Sequence, residues 1–165
     1  MDPWSISRNR TMRGGRVDRE ELPRGPNGRI LCRWCNLETP RGRVTFCSDW
    51  CVHEWRLRTD PGYLREQVFE RDGGICAVCR LDTAAEWQRL KRLRAAKKVG
   101  LLRDWGLKSL KRSSLWDADH IVPVAEGGGE CDLSNIRTLC LKCHRKVTAE
   151  LRARLGPRMN TNKHE

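Results

Sequence analysis

An acid and an imidazole stand side by side at Asp119 and His120, near the end of the apolar-leaning run 116–123. A second imidazole, His144, follows 24 residues later and comes directly after a cysteine. A carboxylate and an imidazole can hold a divalent metal, which acts as a Lewis acid on a phosphate. A neutral imidazole near pH 7 can also take a proton from water. These residue types therefore predict metal-assisted hydrolysis of a phosphodiester.

Two short strands and a helix are needed to bring these groups together. We predict a strand over residues 115–121, a glycine-containing loop over 123–132, a return strand over 136–139 and a helix over 141–155. Because successive strand residues point to opposite faces, the side chains of Asp119 and His120 are expected to separate. His144 falls in the first turn of the helix, where the adjacent Cys143 can lock its position.

Eight of the nine cysteines fall into close pairs with the spacing of zinc ligands. Four thiolates suit a structural Zn²⁺ and leave it no open position, so neither zinc is predicted to be the catalytic metal. The first predicted set is Cys32, Cys35, Cys47 and Cys51, and the second is Cys76, Cys79, Cys140 and Cys143. Reduced thiols without metal are the alternative, and in a reducing compartment a disulfide is disfavoured. Cys131 is left over as a free thiol or an ordinary small residue.

The chain is strongly basic, with 33 Lys and Arg against 21 Asp and Glu and a formal net charge of +12. Such an excess favours binding to a polyanion, above all nucleic acid, over a merely solvated surface. The sequence contains no run of about 18 apolar residues and no apolar segment near its start, which predicts neither a membrane span nor a secretory signal. We therefore expect DNA as the partner and a cytoplasmic or nuclear location, not secretion.

Composition divides the chain into four predicted parts. Residues 1–29 form a disordered basic arm, 30–60 a zinc knuckle, 61–156 the domain with the Asp-His motif, and 157–165 a disordered tail. Within the knuckle, we predict a return strand over 44–46 and a helix over 49–58, with Ser48 as its N-cap. No heptad pattern indicates a homodimer, although none of these features forbids one.

Residues 82–114 form a predicted helical insertion with ten Lys or Arg and three Asp or Glu. Trp87, Leu90 and Leu93 recur at three-residue steps, as on one face of a helix that Gly100 ends, and a second helix is expected over 101–111. Two interpretations of the basic face remain open: a solvated surface, or a track for DNA phosphates. The lysines that the second interpretation assigns to DNA are Lys97, Lys98, Lys108 and Lys111.

An acid–histidine pair, a glycine loop, an asparagine and a Cys-x-x-Cys-His end follow one another over about residues 76–151. This order resembles the HNH endonuclease family of ββα-metal nucleases, and His120, Asn135 and His144 stand at the three letters of that name. Over residues 32–154 the pattern is similar to HNH domains attached to annealing helicases. No helicase motor sequence is present, which predicts a stand-alone nuclease.

The resemblance implies a role for each residue of the motif. His120 would be the general base that activates water, while Asp119 and His144 would bind one catalytic Mg²⁺ or Mn²⁺. Asn135 would orient the loop by hydrogen bonds, and the products would carry 5′-phosphate and 3′-hydroxyl ends. Candidates that rest on position alone are Arg137, Lys142 and Arg145 for phosphate contacts and Asp117 for a carboxylate that supports the metal ligands.

The predicted fold is α+β, a small zinc-stapled domain with a ββα-metal core, an N-terminal four-cysteine zinc knuckle and a helical insertion. Two other functions compete with a nuclease. The Cys-x-x-Cys-His run that ends at His144 also matches the c-type haem attachment pattern, but this would leave Cys76 and Cys79 without partners. A double-zinc module that binds nucleic acid without catalysis is the main alternative. We expect no small-molecule cofactor and no membrane partner.

Overall fold

The computed structural model describes residues 17–109, 111–129 and 132–156. It divides into two compact units, Met1–Pro61 and Gly62–Glu165. The helices are α1 Asp49–Thr59, α2 Pro61–Asp72, α3 Thr83–Arg92, α4 Ala95–Asp104 and α5 Leu141–Leu155, and the strands are β1 Trp116–His120 and β2 Ile136–Cys140. The predicted α+β fold is confirmed. None of the helices in the described part of the chain combines the length and apolar character of a membrane span.

In the first unit, helix α1 begins as predicted. The Ser48 side chain accepts a hydrogen bond from Cys51 N at 3.2 Å, and Asp49 lies in the first turn, where the helix dipole favours an acid. The return strand predicted over 44–46 is wrong, because residues there form bends and only Thr45 O accepts a backbone bond, from Arg33 N at 2.9 Å. Bends beside the first cysteine tetrad, not strand pairing, form this segment.

Residues 17–29 lead into the first knuckle through a turn. Leu22 is buried, Arg24 and Ile30 form an isolated β-bridge, and Gly25 N donates to Arg29 O at 2.8 Å. This part of the arm is therefore structured where the sequence predicts disorder, because a short turn and one buried leucine hold it. Residues 1–16 and the predicted tail 157–165 lie outside the described residues.

In the second unit, β1 and β2 form an antiparallel hairpin with Trp116 opposite Cys140 and His120 opposite Ile136. Trp116 and Ile136 pack with Val68 of α2 in one buried cluster. Leu139 packs in a second cluster with residues of α3, α4 and α5. The hairpin therefore lies between two apolar clusters, and residues on its two faces enter different surroundings.

The outer edge of β2 is covered by the end of α2 and by the second knuckle. Asp72 accepts hydrogen bonds from Thr138 N at 3.2 Å and Thr138 Oγ1 at 2.8 Å, and Ala77 N donates to Thr138 O at 2.8 Å. Arg71 donates to Ile136 O at 2.7 Å and pairs with Asp72. Hydrogen bonds from Arg71 lower the pKa of Asp72, with Thr138 adding to the effect. These contacts hold β2 in place, and β2 pairs with the strand β1 that carries Asp119 and His120.

The helical insertion breaks earlier than predicted. Helix α3 ends at Arg92, and Leu93 is extended with φ −71° and ψ 148°, so Gly100 lies inside α4 and does not end a helix. Helix α4 ends at Asp104, not near Lys111, because Gly106 takes φ 65° and its N–H bonds to Arg103 O at 2.8 Å. A glycine in the left-handed region just past a helix is a strong stop signal, and here that glycine is Gly106.

The apolar stripe of the insertion is buried as predicted. Trp87 and Leu90 of α3 join Leu102 and Trp105 in the cluster around the second cysteine set. Leu93 is only partly buried against it. The insertion is therefore part of the core of the second unit, and its basic residues form the outward surface.

Candidate active site

His144 lies between two carboxylates. Asp117 and Asp119 alternate along β1 and so share one face of the hairpin. His144, in the first turn of α5, faces the same side, with Nδ1 3.3 Å from Asp117 Oδ2 and Nε2 3.6 Å from Asp119 Oδ1. The fold therefore brings together the predicted pair Asp119 and His144, and it places Asp117, the candidate supporting carboxylate, on the other side of the imidazole.

Arginines hold the second oxygen of each carboxylate. Arg137, the cross-strand neighbour of Asp119, donates from Nη2 and Nε to Asp119 Oδ2 at 3.2 and 3.3 Å. Arg112 donates to Asp117 Oδ1, and Arg65 Nη1 lies 3.6 Å from the same oxygen. Each aspartate thus has one oxygen on an arginine and one facing the imidazole, which fixes the direction of both carboxylates.

Arg65 links this cluster to helix α2. Its Nη2 donates to Trp116 O at 2.6 Å and to the Ser114 hydroxyl, and its guanidinium carbon lies 3.8 Å from the centre of the Trp116 ring. Burial lowers the pKa of the Arg65 guanidinium, and Asp117 acts against that shift. Sequence reasoning missed Arg65, because no spacing rule links an arginine to an aspartate 52 positions away, and it missed Arg112, because the five residues to Asp117 follow no helix or strand period. The alternation of Asp117 and Asp119 was the only signal available.

His120 is the last residue of β1, and strand alternation directs its side chain away from Asp119, as predicted. Its Nε2 is buried and has no hydrogen-bond partner among the described residues. A buried polar atom without a partner costs roughly 1–3 kcal/mol. Such an atom usually marks a place that a water or a ligand group completes.

Asn135 holds the two sides of the glycine loop together. Its Oδ1 accepts from Val122 N at 2.8 Å, and its Nδ2 donates to Val122 O at 3.1 Å and to Gly128 O. Its backbone oxygen accepts from Ile121 N at 2.8 Å. A side chain at Gly128 would collide with the backbone oxygen of Val122, so the loop needs glycine there for close approach. These hydrogen bonds fix the direction of the backbone where it leaves β1, directly after His120.

Several of the residues predicted to contact DNA also contact protein groups. Arg145 Nη1 donates to Trp105 O at 2.8 Å, and Lys142 Nζ lies 4.7 Å from the centre of the Trp105 ring. Lys98 Nζ donates to Lys91 O at 3.1 Å. The remaining lysines of the insertion set are exposed: Lys97, Lys108 and Lys111. Arg137 is bound to Asp119, as described above.

Each predicted cysteine set comes together as a tetrad whose sulfur atoms all lie within 4.8 Å of one another. Four sulfurs bound to a tetrahedral zinc lie about 3.8 Å apart, given a Zn–S bond of about 2.3 Å. The Cys47 and Cys51 sulfurs are 3.3 Å apart, and the Cys79 and Cys140 sulfurs are 3.7 Å apart. Both tetrads could therefore hold zinc. Cys131 lies outside the described residues.

One thiol of each tetrad is favoured as a thiolate. Burial acts to raise the pKa of Cys32 and Cys76, but backbone N–H donors outweigh it and bring the pKa to about 7 for Cys32 and about 6 for Cys76. Burial raises the pKa of Cys51 to about 12 and also raises the pKa of Cys143. Four thiols this close cannot all ionise unless a cation offsets their repulsion, and a bound zinc would supply that charge.

Asp119 and His144 offer donors for a different ion. Their facing atoms, Oδ1 and Nε2, lie 3.6 Å apart, somewhat more than the roughly 3 Å between adjacent donors around an octahedral divalent ion. One oxygen and one nitrogen donor suit Mg²⁺ or Mn²⁺ and leave other positions for water and phosphate. The residues present therefore fit a catalytic divalent ion, whereas a zinc held by four cysteines has no position left for substrate.

Known proteins share this sequence pattern. The family model described as HNH endonuclease matches residues 107–150. The DNA annealing helicase and endonuclease ZRANB3 of Mus musculus is 33% identical over 144 residues, which are 74% of this chain and 14% of that protein. The same protein of Homo sapiens is 34% identical over 143 residues, with 74% and 13% covered. That of Bos taurus is 36% identical over 117 residues, with 64% and 11% covered.

A solved structure, the human ZRANB3 HNH domain, is 32% identical, and the match covers 59% of this chain and 96% of that domain with a TM-score of 0.46. This chain spans only 11–14% of the length of the curated relatives. The hairpin, the following helix and the cysteine tetrads define a nuclease fold of the ββα-metal class. Residues 107–150 of the chain form a domain of the HNH endonuclease family.

Proposed function

We propose that this chain is a metal-dependent endonuclease that hydrolyses phosphodiester bonds of DNA and leaves 5′-phosphate and 3′-hydroxyl ends. One observation carries the proposal: His144 is held between Asp117 and Asp119, while the neighbouring His120 keeps a buried nitrogen without a partner among the described residues. A histidine fixed by two carboxylates suits a metal ligand. A histidine with an open nitrogen suits a base.

Asp119 and His144 would hold one Mg²⁺ or Mn²⁺, which as a Lewis acid would offset charge on the phosphate and on the leaving oxygen. Arg137 keeps one oxygen of Asp119 occupied, so that the other oxygen points at Nε2 of His144. Asp117 would accept a hydrogen bond from Nδ1–H, which would leave Nε2 available as a metal ligand. This assignment explains why the imidazole needs a carboxylate at each nitrogen.

His120 acts on the water. Its Nε2 takes a proton from water as the water oxygen bonds to phosphorus, and the bond from phosphorus to the 3′ oxygen breaks. The 3′ oxygen takes up a proton and becomes the hydroxyl, and the added oxygen stays on the 5′-phosphate. Asn135 keeps the backbone after His120 in place through its bonds to Val122. A chain that acts on DNA would work in the nucleus or in a prokaryotic cytoplasm.

The basic surface of the insertion would bind the DNA backbone. Exposed lysines on and after α4 release counterions when they neutralise phosphates, which makes affinity depend on salt. Changing Lys97, Lys98, Lys108 and Lys111 to Gln should reduce the slope of log affinity against log salt by about two to three units. An unchanged slope, measured by fluorescence anisotropy on a labelled duplex, would assign these lysines to solubility only.

The decisive test is cleavage of supercoiled plasmid with Mg²⁺ or Mn²⁺. Wild-type protein should nick or linearise it, and His120→Ala should lose this activity while keeping its fold and both zinc ions. His53→Ala, which removes a histidine from the first unit, should cut like wild type. If none of the three proteins cuts any DNA form with any divalent metal, yet all bind DNA equally, the chain is the non-catalytic binding module.

A further inference from the structure

The turn after the second cysteine has the same conformation in both knuckles but a different residue. Asn36 takes φ 59° in the first knuckle, and Arg80 takes φ 61° in the second. Asparagine visits this left-handed region more readily than other side chains, because it can bond locally to the backbone. The second knuckle therefore carries a strained arginine at a position where asparagine folds with less strain.

Arg80 is exposed and lines a groove beside the outer edge of β2. The groove has a volume of about 380 Å³, and two further arginines, Arg71 and Arg137, lie in its wall together with Ser134 and Ile121. Three guanidinium groups around one concave surface favour an anion. Strain in a turn that both knuckles share is a reason to look for a function of the side chain.

Two of the three arginines are already neutralised. Arg71 pairs with Asp72 at 2.7 Å, and Arg137 pairs with Asp119 at 3.2 Å. Among the residues that the structure describes, Arg80 has neither a hydrogen bond nor an ion pair through its side chain. The uncompensated positive charge of the groove therefore comes from Arg80.

The groove lies next to the candidate active site. Arg137 belongs to both, because it lines the groove and holds the metal-ligand candidate Asp119. Ile121, which also lines the groove, directly follows His120. A chain of phosphates that passes the site can thus continue into the groove.

We propose that Arg80 and this groove form a subsite for a DNA backbone phosphate next to the one that is cut. The inference rests on the proposed function, since the ligand is the same DNA. A guanidinium can form two charge-assisted hydrogen bonds with one phosphate. That gain on binding explains an arginine in a turn where asparagine would stabilise the fold.

The test is Arg80→Asn, which keeps the turn and removes the charge. Its melting temperature should rise by about 2–4 °C, because the turn is relieved of strain. Its affinity for a duplex at low salt should fall about tenfold, and the salt slope should fall by about 0.9. Binding is measured in EDTA, so that cleavage plays no part. Arg80→Gly, which also accepts a positive φ, should give the same loss of slope.

Two controls separate a subsite from a general loss of charge. Arg154→Ala removes the same charge from an exposed residue that is paired with Glu126, and its salt slope should match wild type. Asn36→Arg brings the strained residue into the first knuckle and should lower the melting temperature with no gain in affinity. A neutral methylphosphonate can replace one phosphate of the duplex at a time. At one position this replacement should weaken DNA binding by the wild-type protein but should have no effect on binding by Arg80→Asn.

The outcomes separate the two proposals. If Arg80→Asn binds DNA as tightly as wild type with the same slope, or if wild type binds no DNA at low salt, the subsite does not exist. If binding depends on Arg80 but wild type cuts no DNA, the subsite stands and the nuclease proposal fails. If wild type cuts DNA while Arg80→Asn binds normally, the nuclease proposal stands and the subsite fails.

Discussion

The two cysteine knuckles have nearly the same backbone. In the first, Cys32 N donates to Leu37 O at 2.7 Å, and in the second Cys76 N donates to Leu81 O at 2.9 Å. Each knuckle also has an isolated bridge just outside this bond and a residue with positive φ after its second cysteine. The conformation of each Cys-x-x-Cys turn is thus local, and a short stretch of sequence with the spacing of zinc ligands is enough to specify it.

The knuckles differ in what completes their tetrads. The first tetrad closes within 20 residues, because Cys47 lies just before α1 and Cys51 lies in its first turn. The second closes across the 60 residues between Cys79 and Cys140, and it fixes the junction of β2 and α5 beside His144. The same kind of cysteine tetrad therefore closes a small unit in one place and lies beside the candidate active site in the other.

Charge does not separate the units. Residues 1–61 carry 12 Lys and Arg against eight Asp and Glu, and residues 62–165 carry 21 against 13. A positive excess favours phosphate binding, and both units have such an excess.

The largest expected effect comes from breaking each tetrad at its second cysteine. Cys79→Ser should unfold the second unit and abolish cleavage, because structural zinc contributes roughly 10–16 kcal/mol in small domains. Cys35→Ser should also lose one zinc ion but keep metal-dependent cleavage. Zinc content, thermal melting and plasmid cleavage measure this difference. Equal loss of cleavage in both variants would show that the two tetrads are not functionally distinct.

A smaller effect is expected at the aspartates that arginines hold. Asp117→Asn should weaken activation by Mn²⁺ about 10- to 100-fold, because Asp117 supports the ligand His144 without binding the metal. Asp49→Asn, which removes the partner of Arg43 in the first unit, should leave activation unchanged. Titration of cleavage rate against Mn²⁺ concentration checks both. Identical titration curves for Asp117→Asn and wild type would remove Asp117 from the site.

The hydrogen bonds of Asp72 should make the free energy of unfolding depend on pH. Since its pKa is lowered in the folded state, its contribution is present above the unfolded pKa of about 3.9 and is lost as pH falls through the lower folded pKa. Asp72→Asn should therefore be about 1–3 kcal/mol less stable at pH 7, and the difference should shrink below about pH 4. Urea unfolding at several pH values measures it. A difference that grows in acid would contradict the assigned shift.

The smallest effect concerns the two glycines of the insertion, a segment that only the second unit has. Gly100→Ala should stabilise the protein by roughly 0.5–1 kcal/mol, because Gly100 lies inside α4 with open space around it. Gly106→Ala should destabilise it, because Gly106 has φ 65° and a methyl group there would meet Arg145. Opposite changes in the melting temperatures of the two variants would support a helix α4 that includes Gly100 and ends before Gly106. If Gly100→Ala destabilised the protein and Gly106→Ala stabilised it, the helix would end at Gly100 as the sequence predicts.

Most local features could be predicted because short patterns specify them. Cysteine spacing defined both tetrads, the serine at 48 capped α1, and strand alternation separated Asp119 from His120. The failures concern the ends of elements. The return strand over 44–46 has no partner strand among the described residues. The helices of the insertion end at Arg92 and Asp104, not at Gly100 and near Lys111, and these ends depend on which apolar residues the core takes up.

The sequence by itself determined the residue types of the candidate site and the order of the elements that carry them, because periodicity and ligand spacing are properties of neighbouring residues. Only the tertiary structure decided that Asp117 stands on the far side of His144, that Arg65 and Arg112 hold it, and that Arg80 lines a groove with arginines from other elements. These contacts join residues far apart in the chain, and packing around the second tetrad brings them into reach.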